Sequence, residues 1–266
     1  MADSDSPRLF SVGTALGFLP VAAMQQARLR LGATSTPLPV GASEGEVGEL
    51  SAPRERVLVL GDASALGAGC DEVEAALAPR LAYGVALRRR TRIHWTARGG
   101  AGWTAVRLDD DLRRRGVPPA DAALLVIGVN DALAMTPLGA WKRQLDRIVA
   151  RLFAAGVRLV AVSGLPPVQR LPGLVWPLAP LLALRAAQLD RVARRLAHPS
   201  PLAPERTIAY VPLPAIDPIA HVAADGMHAS AAGYAWWAAC AAEQLAREMD
   251  QLPAPPRTES FDRAAF

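Results

Sequence analysis

Apolar positions along the chain fall into short unbroken runs separated by stretches of helical period. Val57-Leu58-Val59-Leu60, entered from Arg56, is one such run and reads as a strand buried on both faces. It closes in Gly61-Asp62 and a series of small residues. A helical pattern then runs from Asp71 to Arg90, with Pro79 as a candidate break. Arg92 to Ala97 reads as the next strand and ends in the glycine-rich turn Gly99-Gly100-Ala101-Gly102. Thr104 then stands as N-cap of a helix from Ala105 to Arg115, which carries Asp109 to Asp111 in its middle. Ala122 to Ile127 is the most apolar strand and runs into Gly128-Val129-Asn130-Asp131. An amphipathic helix over Leu138 to Ala155 and a strand over Val157 to Val162 follow. Leu165 to Pro177 is an irregular apolar loop, Leu181 to Leu196 a helix, and Thr207 to Val211 a strand. Ser230 caps a last helix that reaches Met249. Five strands, each followed by a helix or crossover, predict a five-stranded parallel sheet covered on both faces, a three-layer α/β/α sandwich. No internal repeat is visible.

Ahead of this array, Leu9 to Met24 is apolar with few polar breaks. Asp3 and Asp5 outweigh Arg8, which makes it a poor signal peptide. It is also short of the roughly 20 apolar residues a bilayer span needs, and Pro20 interrupts it. The basic flank at Arg28 and Arg30 allows a membrane-surface anchor through residues 9–24; a helix packed across the domain is the plainer alternative. Thr34 to Arg54, rich in Pro and Gly, reads as a linker or extended wrap. The expected division is therefore an N-terminal appendage over 1–54, one domain over 55–250 and a tail over 251–266.

Composition narrows the function classes. With 266 residues, 51% of them hydrophobic, the chain can bury one sizeable core. The formal charge is +4, Lys142 is the only lysine, and the arginine clusters at 88–92 and 113–115 lie at helix ends, where cations suit the helix dipole. No aromatic residues interleave with them to stack bases, so nucleic acid is not an expected partner. Cys70 and Cys240 form neither a disulfide framework nor a metal-ligand spacing, which fits a reducing, cytoplasmic setting or no dependence on redox. No metal or organic cofactor is implied. Gly61, Gly67 and Gly69 match no nucleotide-binding fingerprint.

Polar or glycine-rich clusters follow strands at Gly61-Asp62-Ala63-Ser64, at Gly99 to Gly102 and at Gly128 to Asp131. A fourth, Asp225-Gly226-Met227-His228, precedes the last helix. In a parallel sheet all four converge on the carboxyl edge, where ligands bind. Asp225, three residues before His228, can fix the imidazole tautomer and stabilise the imidazolium, as a general base requires. Asn130 offers an amide donor and Gly102 an unobstructed backbone N–H, which together could receive an oxyanion. Singly each cluster is commonplace in turns; in this order at strand ends they are specific. Of the other histidines, His94 reads as a sheet residue beside Trp95 and His198 as part of a loop. His221 could line the site, though nothing in the sequence orients it. Trp236-Trp237 reads as helix packing.

In these residues, over roughly Arg56 to Ala246, the chain resembles the SGNH or GDSL-type serine esterases and lipases, and Ala229-Ser230-Ala231-Ala232-Gly233-Tyr234 is similar to bacterial members. The resemblance implies a flavodoxin-like SGNH hydrolase domain over 55–250 that hydrolyses carboxylic esters through a serine acyl-enzyme. By it, His228 is the base and Asp225 its orienter. The oxyanion donors are the Ala63 N–H, Gly102 and Asn130, with Asp62, Ser64, Gly128 and Asp131 in support. One departure stands out: the nucleophilic serine falls on Ala63. Three explanations are open. Ala63 is an engineered knockout, or a natural loss that leaves a non-catalytic acyl- or ester-binding protein, or Ser64 has taken over. The third is physically poor, because moving one residue along a tight turn redirects the side chain by several Å. A membrane-peripheral interaction protein is the rival outside this class. The loop Leu165 to Leu184, with Trp176, points to an ester with an apolar acyl or aryl group as the small-molecule partner.

Overall fold

The computed structural model describes residues 19–32, 37–197, 207–213 and 215–253. Its centre is a six-stranded sheet in the order β1-β3-β2-β4-β5-β6. The strands are β1 (Glu44–Val47), β2 (Arg54–Gly61), β3 (Arg92–Gly99), β4 (Ala122–Val126), β5 (Leu159–Ser163) and β6 (Thr207–Val211). β2 to β6 are parallel, as the alternation of strands and helices predicts. The sixth strand, β1, corrects the expected count of five. It runs antiparallel on the edge beside β3 and comes from the stretch read as a linker. Its sequence Glu-Gly-Glu-Val has no apolar run to betray it. Pairing with Ile93 to Thr96 orders it, as do ion pairs from Glu46 to Arg54 at 2.7 Å and to Arg92 at 3.3 Å.

Alternation along the strands splits the core in two. Leu58, Leu60, Leu125, Val160 and Val162 face α3 (Ala105–Arg115), α5 (Leu138–Ala154) and α6 (Leu178–Leu196). Val57, Val59, Leu124, Leu159 and Ala161 face α2 (Leu77–Arg89) and α7 (Ala231–Gln251). A short helix, α4 (Val129–Leu133), follows β4 directly. The result is the expected three-layer sandwich.

Helix boundaries shift for local reasons. α2 begins at Leu77, after a 3-10 turn at Val73–Ala75, and Pro79 lies in its first turn, where no N–H is needed; it does not break the helix. Thr104 occupies the N-cap of α3, yet its side chain makes no capping bond. The buried Asp131 carboxylate does so instead, accepting from Ala105 N at 2.9 Å. Asp109, in the middle of α3, is buried against Arg151 of α5 at 2.6 Å.

Helix α1 (Leu19–Gly32), which takes in the described part of the apolar N-terminal stretch, lies on the α6 side of the domain. Ala22 is buried, Gln25 Nε2 donates to Trp176 O at 3.1 Å, and Gln26 Nε2 donates to Leu133 O. Residues 9–18 and His198 lie outside the described residues. Among those described, no helix is long and apolar enough to cross a membrane.

The chain leaves β2 for β3 on one side and returns past it to β4 on the other, so the carboxyl end of β2 is a topological switch point, where open α/β sheets form their crevice. The backbones approach closely here: a Cβ on Gly61 would lie 1.8 Å from Val126 O, so only glycine fits.

Candidate active site

A cavity of about 340 Å³ opens at this switch point. Asp62, Ala63, Ser64, Gly102, Asn130, Asp225 and His228 all line it, so residues from each of the four sequence clusters border one cavity. Gly128 and Asp131 stand behind it as framework: Gly128 caps α4, and Asp131 is fully buried.

Ala63 opens a 3-10 turn directly after β2. The turn is held by Asp62, whose Oδ1 accepts from Ser64 N at 2.9 Å and whose Oδ2 accepts from Asn130 Nδ2 at 3.2 Å. Burial pushes the Asp62 carboxyl upward, against the Ser64 N–H bond and the attraction of His228. Ala68 N donates back to Ala63 O at 3.0 Å, and the buried Tyr234 hydroxyl donates to Ala68 O at 2.8 Å, tying the turn to α7.

The Asp131 carboxylate couples two of the clusters. Besides capping α3 through Ala105 N, it accepts from Thr136 Oγ1 at 3.2 Å, so the loop carrying Gly102 and the turn carrying Asn130 share one anchor. Its burial raises its pKa, opposed by the hydrogen bonds from Ala105 and Thr136. Among the described residues, neither the Ala63 nor the Gly102 N–H has a protein acceptor. Asn130 uses one amide hydrogen on Asp62 and has a second to give.

Asp225 Oδ2 lies 2.6 Å from His228 Nδ1, while Oδ1 accepts from Met227 N at 2.9 Å and His228 N at 3.0 Å. Burial pushes the Asp225 carboxyl up, and the bonds from His228 and Met227 outweigh it, holding the group below the ordinary carboxylate value. With Nδ1–H committed to this carboxylate, the basic nitrogen of the neutral ring is Nε2. The site can therefore take a proton at one imidazole nitrogen and offer three N–H groups to developing negative charge. Among the described residues, no group of three His, Cys, Asp or Glu is placed to hold a metal ion, and both cysteines are free.

Most of the remaining wall is apolar, with Leu29, Leu133, Leu165, Leu171, Ile216 and Met227. Leu165 and Leu171 come from the loop singled out in the sequence, and Asp190 pins its start by accepting from Leu165 N at 3.1 Å. Trp176 of the same loop is exposed and outside the cavity. Sequence reasoning missed three contributions. Arg28 and Leu29 reach the wall from α1, which no motif ties to the site. Trp236, read as packing, lines the cavity, as does Trp237, which also packs and donates from Nε1 to Ser163 Oγ at 3.1 Å. His221 is oriented after all, stacked on Trp236 at 4.5 Å between ring centroids. The usable signal was the Ser230 cap, which turns the chain back so that residues before and after it face each other.

A model of the GDSL-like lipase/acylhydrolase family matches residues 59–236. A GDSL-like esterase of Mycobacterium tuberculosis is 29% identical over 137 residues, a segment that is 51% of this chain and 43% of that relative. The match thus spans less than half the length of the curated relative. Among solved structures, a lipase from a goat rumen metagenome superposes with a TM-score of 0.58 at 14% identity, covering 74% of this chain and 98% of that one. A family 3 carbohydrate esterase of Clostridium thermocellum gives 0.54 at 17% identity, with 74% and 98% covered. At these identities the two structures speak for the fold alone.

Proposed function

Because the chain belongs to the GDSL-like lipase/acylhydrolase family, we propose that its cavity is an ester-hydrolase site that is complete except for the nucleophile, so that the protein as it stands binds carboxylic esters without turning them over. The observation that carries this reading is the 2.6 Å Asp225–His228 pair facing the same cavity as Ala63, whose methyl group has no proton to give and no lone pair to attack with.

In a protein with serine at that position, the hydroxyl proton passes to His228 Nε2 as the oxygen bonds to the ester carbonyl carbon. The carbonyl oxygen becomes an oxyanion received by the N–H groups of residue 63 and Gly102 and by Asn130 Nδ2. Collapse expels the alcohol, which takes the proton from His228, and water then repeats the sequence on the acyl-enzyme. Asp225 holds the ring and balances its transient charge. The apolar wall selects an acyl or aryl group of moderate size.

One test is made on the protein as it stands. Hydrolysis of p-nitrophenyl acetate should be no faster than by its His228→Ala variant. Ser64 also lines the cavity, and rapid turnover abolished by Ser64→Ala would move the nucleophile there and overturn the reading.

A second expectation concerns Asn130. In the Ala63→Ser background, Asn130→Ala should lower kcat by roughly 10²-fold while KM hardly moves, since its contact strengthens only as charge develops on the oxygen. A change confined to KM would make Asn130 a shaper of the turn through Asp62.

A further inference from the structure

The hairpin that carries His228 carries a second imidazole. Val222 and Ala229 form an antiparallel bridge, flanked by hydrogen bonds from Ala223 N to His228 O at 2.9 Å and from Ser230 N to His221 O at 3.0 Å. Ala223 is thus the cross-strand partner of His228, and His221 lies two residues from Ala223 on the same strand. Opposed residues of an antiparallel pair share a face, and so do residues two apart. Both imidazoles therefore project from one face of the hairpin, and both line the cavity.

His221 is built into place. Its N–H donates to Asp217 O at 2.9 Å, and Asp217 Oδ1 closes the turn by accepting from Ile219 N at 2.8 Å and Ala220 N at 3.3 Å. Ser230 Oγ donates to Ala220 O at 2.7 Å. The turn presses on α7 so closely that a Cβ on Gly233 would sit 2.2 Å from His221 O. The ring lies nearly flat on Trp236, with 24° between the planes. Its Nδ1 accepts from Asp217 N at 3.2 Å. An acceptor at Nδ1 places the proton of the neutral ring on Nε2. That N–H has no acceptor among the described residues, and His221 is one of the residues that line the cavity.

We propose that His221 is a specificity-determining residue: its Nε2–H donates to an oxygen in the leaving-group half of the ester, while Trp236 backs the ring. The proposal rests on the ester-hydrolase reading in one respect. The leaving group lies on the His228 face because it takes its proton from that ring. The favoured substrates are esters whose alcohol portion carries an ether or carbonyl oxygen, over esters of plain alkyl alcohols.

Two nearly isosteric ligands separate these cases, 2-methoxyethyl octanoate and n-butyl octanoate, which differ by one ether oxygen. Equilibrium binding to the protein as it stands, followed by tryptophan fluorescence, should favour the methoxyethyl ester roughly three- to tenfold, the range for one neutral hydrogen bond. His221→Phe keeps a ring on Trp236 and should bring the ratio to about one; His221→Gln restores an N–H donor and should recover part of it. Circular dichroism establishes that each variant is folded. Equal affinities in the parent protein, a preference that survives His221→Phe, or no binding of either ester would overturn the assignment. Turnover of the same pair by the Ala63→Ser protein is a separate arm. If that protein is inactive while the binding preference holds and vanishes in His221→Phe, the ester-hydrolase reading fails and His221 remains a ligand donor.

Discussion

Ala63→Ser alone should raise the hydrolysis of p-nitrophenyl butyrate by roughly 10³-fold or more over the protein as it stands, the scale on which a nucleophile and its base act together. The basis is that the substitution adds one oxygen at the position proposed for the nucleophile. Ala63 is only 3% exposed yet lines the cavity, so the new atom enters open space and not packed core. Its turn is held from three sides, by Asp62 on Ser64 N, by Ala68 N on Ala63 O and by Tyr234 on Ala68 O. None of these bonds uses the Ala63 side chain, so serine should leave the backbone where it is.

The second large effect belongs to His228. In the Ala63→Ser background, His228→Ala should remove roughly 10³-fold or more of kcat/KM and return the protein close to its starting rate, because the proposed base is then gone. The pH profile sharpens this. Asp225 is held below the ordinary carboxylate value by the His228 and Met227 bonds, so it stays ionised well into mild acid. The acid limb of kcat/KM should therefore follow a single proton, with a slope of about one per pH unit. A limb of slope two would mean that Asp225 titrates with the ring and that the pair is not poised as described.

What the sequence disclosed follows from how local each signal is. The Val57–Leu60 part of β2 and all of β4 are continuous apolar runs buried on both faces, and their pattern needs no tertiary information. β1 is an edge strand with charges at alternate positions, and its order comes from Glu46 meeting Arg54 and Arg92 across the sheet. Thr104 looked like a cap because it has the right residue type at the right place, but Asp131, far along the chain, satisfies Ala105 N instead. In the site, Asp225 and His228 were legible because they stand three positions apart. His221 was not, since its partners are a backbone N–H at Asp217 and an indole brought over by the turn before α7. Leu29 and Arg28 were out of reach for a similar reason: α1 docks through glutamine side chains onto backbone oxygens, and nothing in its own pattern says where it docks.

The central claim is that every part of an ester-hydrolase site except the hydroxyl at position 63 is present and in place. Its most direct test is covalent labelling of the Ala63→Ser protein with a p-nitrophenyl alkylphosphonate, read by intact-protein mass and peptide mapping. The account predicts one adduct per chain, on residue 63, with none on the protein as it stands and labelling much slowed by adding His228→Ala. An Ala63→Ser protein that is folded but unlabelled, and inactive on short, long and aryl esters alike, would contradict it, as would an adduct on Ser64.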